Sequence, residues 1–225
     1  MNPFEIMDCS LLIRMSGLPP AYNLRELRDR IAVCSPDVLY HHFCETPLSP
    51  AFEYPDHRND FAVWASRRLS DKVLAERLGA VDPYACPSIE GLREIVLEVI
   101  DERLSEVTMI PWARPGHEFY FMEATTLVFD SGERVRTLTG LPDAIGRMSN
   151  GSIYFHFVEA QRRPPVGVDD FSCWIGGFGE AGMPSVEALR HIDFYFYTLR
   201  ELREELVRVL TPLRDGQSGA EREGS

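Results

Sequence analysis

The sequence is poor in lysine and lacks any long apolar run. Lys72 is the only lysine among 23 basic residues, which leaves no phosphate-loop lysine in its motif and no obvious Schiff-base nucleophile. No uninterrupted apolar run approaches the ~20 residues that a membrane-spanning helix requires. The formal net charge is −12, so the surface repels phosphate backbones. These absences predict a protein that binds neither nucleic acid nor membrane.

Cysteine is scarce, odd in number and never arranged as Cys-x-x-Cys. The five cysteines fit neither a disulfide framework nor a structural zinc site, so we expect them to be reduced. The first eight residues carry acids where a secretory signal would carry positive charge. We therefore expect a soluble, cytoplasmic protein.

The length and composition are those of an ordinary globular protein. A chain of 225 residues can form one large domain or two of typical size. Hydrophobic residues make up 44% and charged residues 26%, which argues against wholesale disorder. After Pro212 the sequence becomes rich in glycine, serine and charge, which predicts a disordered tail.

The most informative feature present is an internal repeat. Residues 4–104 align with residues 119–210, with matching segments in the same order and at similar spacing. Three pairs of segments carry the match: Phe4–Asp8 with Phe119–Glu123, Leu39–Glu45 with Ile153–Glu159, and Asn59–Trp64 with Asp169–Trp174. The predicted organisation is a first repeat at 1–104, a linker at 105–118, a second repeat at 119–211 and a disordered tail at 212–225.

Each copy is predicted to open with extended structure and to continue as helices. The aromatic and β-branched run 119–130 ends in the turn signal Asp130-Ser131-Gly132, and 4–14 plays the same role in the first copy. Capping residues in front of apolar periodicities predict the helices: Asn23, Ser35, Asn59, Ser88 and Asp169. The expected fold class is α+β and predominantly helical. It would be a tandem duplication of a unit of about 100 residues, a short β-hairpin followed by four helices, with the halves in a pseudo-twofold pairing.

The order of these motifs resembles a bacterial and archaeal family known only as a domain of unknown function. Its elements in the first copy are Gly17, Leu24–Leu27, Tyr40–Phe43, Asn59–Trp64 and Asp71–Ala75. The resemblance covers both halves, but in the second copy Asp169 replaces the asparagine and the glycine-rich stretch 176–179 interrupts the last element. That interruption argues against a helix at this point. The resemblance implies no activity, because the family has no assigned chemistry.

Each copy contains a His-x-x-Glu pair whose two side chains would share one helix face. The candidate metal ligands are His42, Glu45, His156 and Glu159. A twofold pairing would gather these four around a divalent metal, as in carboxylate-bridged sites of helical bundles. Asp60 and Asp170 would be further ligands or would orient the imidazoles. The alternative is structural: each histidine lies among aromatic neighbours, bonds to that aspartate and holds the helices in register.

Two further groups are candidate ligand contacts. Trp64 and Trp174 lie three residues after a phenylalanine, which is typical of core anchors but also of a ligand-stacking aromatic box. Arg162 and Arg163 could clamp a phosphate or a carboxylate, although such a pair is more often a solvated loop. Together they form the hypothesis of a sugar or anion site.

No catalytic residue or organic cofactor is predicted. Cys44 lies two residues from His42, which places the two side chains on different helix faces and gives no nucleophile–base pair. The run 177–182 matches Gly-x-Gly-x-x-Gly but follows a presumed helix rather than a strand, so we interpret it as a loop before a helix capped by Ser185.

Three functions remain open from the residues alone. We favour a non-catalytic intracellular interaction or regulatory protein with a protein partner, because the recurring residues are mostly aromatic, capping and packing residues. The alternative is a metal-dependent enzyme that uses the two His-x-x-Glu pairs. The third hypothesis is a small-molecule binder.

Overall fold

The computed structural model describes residues 2–48 and 57–215, and it has an α+β fold that is predominantly helical, as expected. In the described ranges, five α-helices precede the second strand: α1 (Leu24–Val33), α2 (Pro36–Tyr40), α3 (Asp60–Arg67), α4 (Lys72–Gly79) and α5 (Ile89–Glu106). Six follow it: α6 (Leu141–Arg147), α7 (Asn150–Ile153), α8 (Asp170–Gly176), α9 (Met183–Arg190), α10 (Leu199–Leu210) and α11 (Pro212–Asp215).

The two opening strands pair with each other instead of forming one hairpin in each copy. Strands β1 (Phe4–Met15) and β2 (Met122–Val135) form a two-stranded antiparallel sheet. The predicted turn at Asp130-Ser131-Gly132 is wrong, because β2 continues through it. Gly132 takes a positive φ of 81° while its N–H donates to Asp130 Oδ1 at 2.8 Å, and Ser131 Oγ donates to the carbonyl of Ile6 at 2.6 Å. The glycine thus takes a left-handed backbone conformation within the strand, and the chain does not reverse there.

Helix starts follow the predicted capping residues closely. The side chains of Asn23, Asn59, Ser88 and Asp169 each accept a hydrogen bond from the backbone N–H three residues later, at 2.9–3.1 Å. Ser35 occupies the position before α2, but its side chain makes no capping hydrogen bond. These contacts are local, which is why the sequence indicates them.

The helix predicted after the glycine-rich run of the second copy is present, but its predicted cap is wrong. Helix α9 begins at Met183 despite the preceding glycines, and Ser185 lies inside it rather than capping it. Pro184 occupies an early helical position, where its missing N–H costs nothing. At the end of the chain, 212–215 form the short helix α11, whereas the remainder of the predicted tail lies outside the described residues.

The chain divides into two compact units whose bounds differ from those of the predicted repeats. The first unit is Leu11–Thr125, and the second combines Met1–Ser10 with Thr126–Ser225. The start of the first repeat is therefore part of the second unit, and the start of the second repeat is part of the first. Each β-strand is long enough, at 12 and 14 residues, to contribute one end to each unit.

Each unit has its own apolar core. In the first unit the core is built from α1, α3, α4 and α5, with Phe119 and Phe121 buried among them. In the second unit the apolar faces of α6, α8, α9 and α10 are buried, together with Phe4 and Ile6. Burial of each such side chain stabilises the fold by about 1.5–3 kcal/mol. Each core therefore includes at least one phenylalanine from an extended segment that is distant in sequence from the helices.

Candidate functional site

His42 and His156 each lie on a short π-helical turn. The turn His41–Glu45 follows α2 in the first unit, and the turn Tyr154–Val158 follows α7 in the second. Such turns are rare and frequently mark functional positions, because they redirect side chains that an α-helix would place elsewhere. The two turns therefore set the direction of the His42 and His156 side chains.

In the first unit both ring nitrogens of His42 have partners. Nδ1 lies 2.7 Å from Asp60 Oδ2, and Nε2 accepts the N–H of Met122 at 3.0 Å. Because a peptide N–H can only donate, Nε2 carries the lone pair and Nδ1 donates its proton to Asp60. The ring is 2% exposed. Burial lowers the pKa of His42, and the neighbouring Asp60 opposes this effect.

In the second unit His156 has the same pair of partners. Its Nδ1 lies 2.7 Å from Asp170 Oδ2, and its Nε2 accepts the N–H of Met7 at 2.9 Å. The ring is 3% exposed. The aspartate that sequence reasoning proposed as an orienting group is therefore in contact with the imidazole in both units.

The two tryptophans also bond to backbone rather than line an open box. Trp64 Nε1 donates to the carbonyl of His117 at 2.8 Å, and Trp174 Nε1 donates to the carbonyl of Asn2 at 3.0 Å. Each carbonyl belongs to an extended segment that lies against the helices. We call these segment 117–123 in the first unit and segment 2–8 in the second.

A phenylalanine of each segment is enclosed by the same three ring types. The ring of Phe119 lies 4.9 Å from His42 and 5.8 Å from Trp64. The ring of Phe4 lies 4.8 Å from His156 and 5.8 Å from Trp174.

A phenylalanine of α3 or α8 completes each enclosure, with ring centroids 4.8 Å from Phe119 and 5.3 Å from Phe4. Offset and edge contacts of this kind add to the burial energy. We call the two enclosures the first groove and the second groove.

A serine hydroxyl contacts the acidic residue of each segment. Ser35 Oγ donates to Glu123 Oε2 at 3.2 Å in the first unit. Ser149 Oγ donates to Asp8 Oδ1 at 2.7 Å in the second. Each groove therefore makes four contacts with its segment. The tryptophan donates to a carbonyl, the histidine accepts from an amide, the rings enclose a phenylalanine, and the serine donates to a carboxylate.

Glu45 pairs with a residue that sequence reasoning missed. His41 Nδ1 lies 2.9 Å from Glu45 Oε2, and the two residues are 6% and 2% exposed. The i,i+4 spacing of these two residues was the signal that could have revealed the pair. In the second unit Phe155 stands where His41 would be, and Glu159 begins the 3₁₀ turn Glu159–Arg162.

The described residues do not gather the four predicted metal ligands. In 2–48 and 57–215 no group of three or more His, Cys, Asp or Glu side chains lies close enough to hold a metal ion. His42 and Glu45 have different hydrogen-bond partners. Metal binding at either Nε2 would require the hydrogen bond from Met122 or Met7 to break.

The predicted arginine clamp is engaged within the second unit. Arg163 Nη2 donates to the carbonyl of Phe155 at 2.7 Å and to Asp170 Oδ2 at 2.9 Å. Its guanidinium also lies 4.1 Å from the ring centre of Phe155. Arg162 ends the 3₁₀ turn before it. Arg163 thus neutralises the carboxylate that orients His156.

A small pocket of about 100 Å³ lies in the second unit beside Asp169. It is lined by Phe157, Gln161, Gly167, Val168, Asp169, Ser172, Leu189, Arg190 and Ile192. Burial raises the pKa of Asp169, while hydrogen bonds from Ser172 oppose the effect.

The Gly-x-Gly-x-x-Gly run forms a tight connection between α8 and α9. It follows α8 rather than a strand, and 179–181 form a 3₁₀ turn. A Cβ at Gly182 would lie 2.4 Å from the carbonyl oxygen of Ile175. The strand–turn–helix context of a dinucleotide site is not present in this part of the chain.

The fold and the paired grooves define a helical α+β protein, and the comparisons assign it to a family. The model of a family of unknown function, DUF5752, matches residues 1–211, so the chain belongs to this family. The predicted resemblance to a domain of unknown function is thereby confirmed. No curated protein matches the chain.

One solved structure has a similar fold. The chain is similar to the structure of OrfY from Thermoproteus tenax, with a TM-score of 0.75 and 29% sequence identity. The match covers 94% of this chain and 95% of that chain. Among the described helices, none has the length and apolar character needed to cross a membrane.

Proposed function

We propose that this chain is a non-catalytic interaction or regulatory protein that acts in the cytoplasm through protein partners. The observation that carries this proposal is the use of the recurring polar side chains. In both grooves the histidine, aspartate, tryptophan and serine bond to an extended segment or to one another. Because these polar atoms already form hydrogen bonds within the protein, the motif supports binding of the segment rather than catalysis.

Catalysis by either histidine would require an available ring nitrogen. A general base must reach the proton that it abstracts with a free lone pair. The lone pair of His42 Nε2 accepts the Met122 N–H, and that of His156 Nε2 accepts the Met7 N–H. The other nitrogen of each ring bonds to an aspartate. These contacts support a positioning role for both residues.

We also propose that the two units are copies of one ancestral unit. The support is that four contacts recur with the same residue types at the same order along each segment. They are the tryptophan–carbonyl, phenylalanine–ring, histidine–amide and serine–carboxylate contacts described above. Matching helix caps, Asn59 and Asp169, stand before the helices that carry the tryptophans.

Charge supports a protein partner over a nucleic acid. A formal net charge of −12 repels a polyanion at long range, and the described surface offers no compensating lysine cluster because Lys72 is the only lysine. Five cysteines without disulfides in the described residues are consistent with a reducing compartment.

The two alternatives remain predictions that experiment decides. The metal-dependent enzyme would use His42, Glu45, His156 and Glu159. The sugar or anion binder would use Trp64, Trp174, Arg162 and Arg163. Each requires side chains that now bond within the protein to exchange those partners for a ligand.

Metal content separates the proposal from the enzyme hypothesis. Untagged protein purified without chelator is measured by inductively coupled plasma mass spectrometry, together with His42→Ala, His156→Ala and the control His191→Ala on the exposed end of α9. We expect far less than one equivalent of metal in all four proteins, and a lower Tm in the first two variants only. A stoichiometric metal that is retained in His191→Ala and lost in the other two variants would overturn the proposal.

A thermal-shift screen tests the small-molecule alternative. Sugars and phosphate or carboxylate anions are added to the wild type and to Trp174→Phe, which keeps the apolar ring and loses the indole N–H. A ligand that binds only the native state raises Tm. We expect no compound to raise Tm; a rise that the variant abolishes would favour the small-molecule binder.

A further inference from the structure

The two grooves recognise the same features at the same positions of their segments. The tryptophan binds the carbonyl of the first residue, which is Asn2 or His117. The aromatic rings enclose the phenylalanine two residues later, Phe4 or Phe119. The spacing is identical in both segments.

The remaining two contacts follow at identical spacing. The histidine accepts the N–H three residues after the phenylalanine, which belongs to Met7 or Met122. The serine binds the next side chain, Asp8 or Glu123. Each groove thus recognises a Phe-x-x-Met-acid segment in extended conformation.

The residues between these contacts differ in size and charge. The positions after the phenylalanine hold Glu5 and Ile6 in one segment, and Tyr120 and Phe121 in the other. Glu5 and Tyr120 are exposed, whereas Ile6 and Phe121 are both buried. Recognition therefore depends on two backbone groups, one ring, one carboxylate and a buried apolar side chain before the methionine, all of which both segments supply. Nothing in the four contacts distinguishes one segment from the other.

We propose that the two grooves are interchangeable peptide-binding sites for the Phe-x-x-Met-acid segment, and that their partner is a second copy of this chain. The occupant would be segment 2–8 of that copy, seated in the second groove. Both segments that make all four contacts belong to this chain, so a second copy carries the same occupant for each groove. Exchange of identical elements between copies is a low-cost route to dimers. This inference deepens the proposed interaction role.

Intramolecular competition determines when the exchange occurs. A tethered segment has a high effective concentration at its own groove, so the chain's own segment occupies the groove in dilute solution. A foreign segment binds when the chain's own segment is weakened or when the protein is concentrated. Variants in which only the segment or only the groove is weakened therefore make the binding of a foreign segment measurable.

Peptide binding to the full chain is the first test. Fluorescent peptides of residues 1–11 and 116–126 are titrated into the Phe4→Ala variant and followed by fluorescence anisotropy. We expect the two peptides to bind with Kd values within about tenfold of each other, and wild type to bind both at least about tenfold more weakly. A peptide with alanine in place of its phenylalanine should bind at least about tenfold more weakly than its parent.

Complementation between two copies is the second test. Phe4→Ala weakens the segment and leaves the groove intact, whereas Trp174→Ala weakens the groove and leaves the segment intact. We expect native mass spectrometry of the mixture to show a one-to-one heterodimer that is far less abundant in either variant alone. Where Phe4→Ala does not fold, Phe4→Leu keeps the apolar volume and loses the ring contacts.

Two results would overturn the inference. One is binding of peptide 1–11 without binding of peptide 116–126, which would mean that the second groove distinguishes the segments. The other is absence of the heterodimer in the mixture, which would exclude a second copy as partner. Neither result depends on metal content, so failure of this inference and failure of the proposed function are distinguishable.

Discussion

The two units hold their segments in the same way, but they differ in the residue that caps the tryptophan-bearing helix. In the first unit the cap of α3 is Asn59, whose Nδ2 donates to the carbonyl of Leu78 at 2.9 Å. In the second unit the cap of α8 is Asp169, which has no amide donor, and Ser172 Oγ donates to it at 2.5 Å. Ala62 stands where Ser172 would be. The comparison shows that a buried capping residue can be a neutral amide or a carboxylate. The carboxylate occurs where the residue three positions later supplies a hydroxyl donor.

The units also differ in how closely the segment approaches the helices. At Gly151 in α7 a Cβ would lie 2.3 Å from the carbonyl oxygen of Cys9. The corresponding position in α2 is Asp37, whose side chain is exposed. Strand β1 therefore approaches the backbone of α7 closely in the second unit, at a position where the first unit has a residue with a side chain.

Removal of the enclosed phenylalanine is expected to have the largest effect. Phe4→Ala and Phe119→Ala should each lower the free energy of unfolding by about 3–5 kcal/mol, because each leaves a cavity among buried rings. Urea unfolding measures the change. Phe129→Ala and Tyr120→Ala are exposed controls and should stay within about 0.5 kcal/mol of wild type. A large loss for only one of the two enclosed rings would break the equivalence of the grooves.

Gly151→Ala is expected to destabilise the protein by about 1–3 kcal/mol. The added methyl group would overlap the carbonyl oxygen of Cys9, so strand or helix must shift. The sign is informative, since Gly→Ala inside an unhindered helix stabilises by about 1 kcal/mol. Asp37→Ala is the matched control in α2, and equal urea midpoints for the two variants would refute the close approach.

Acid is expected to weaken the first groove through His42. Burial lowers the pKa of this histidine in the folded protein, so the unfolded chain binds protons more readily. Its contribution to stability is fully present above the unfolded pKa of about 6.5 and is lost as pH falls through the folded pKa. Protonation of Nε2 would also remove the acceptor for Met122 N–H.

Hydrogen exchange of the Met122 amide, followed from pH 7.5 to 5, measures this release. Asp60, His41 and Glu45 are the titratable groups that influence His42 in the first unit. We expect protection of the amide to fall with pH in the wild type, after correction for intrinsic exchange. His42→Gln removes the titrating ring, so the variant should lose less free energy of unfolding over this range than wild type does. A pH-independent protection would contradict the assigned tautomer.

Conversion of the second cap into the first is expected to have the smallest effect. The double variant Asp169→Asn/Ser172→Ala should raise the free energy of unfolding at pH 7 by about 1 kcal/mol, because a buried carboxylate becomes a neutral amide. Burial raises the pKa of Asp169. Its favourable contribution is therefore present below the unfolded pKa of about 3.9 and is lost as pH rises through the folded pKa.

The gain from the double variant should accordingly shrink as the solution is acidified. Urea unfolding at pH 4 and pH 7 measures this trend. The reverse change in the first unit, Asn59→Asp/Ala62→Ser, should destabilise at pH 7. A gain that is equal at both pH values would mean that the charge of Asp169 does not cause it.

Several local features were predictable because a few neighbouring residues decide them. The caps at Asn23, Asn59 and Ser88 bond to backbone three residues later, so the sequence pattern alone indicates them. The contact between His42 and Asp60 was anticipated as a structural alternative, and the described geometry contains it. Strand β1 was also expected, although its predicted hairpin was wrong.

The histidine partners that matter most for the grooves were not predictable. Met7 and Met122 contribute backbone N–H groups, and these groups have no side-chain signature in a sequence. They lie 149 and 80 residues from the histidines that accept them. Hydrogen bonds over such separations depend on how the strands leave their helices, which no local pattern encodes.

The sequence by itself determined the helical α+β class, the positions of the caps and the residues that recur between the halves, because propensity, capping and periodicity act over a few residues. Only the tertiary structure decided that residues 2–10 join the second compact unit and that 117–125 join the first. It also decided that the recurring histidines face backbone amides. The physical reason is that burial of Phe4 and Phe119 depends on cores assembled from helices far along the chain.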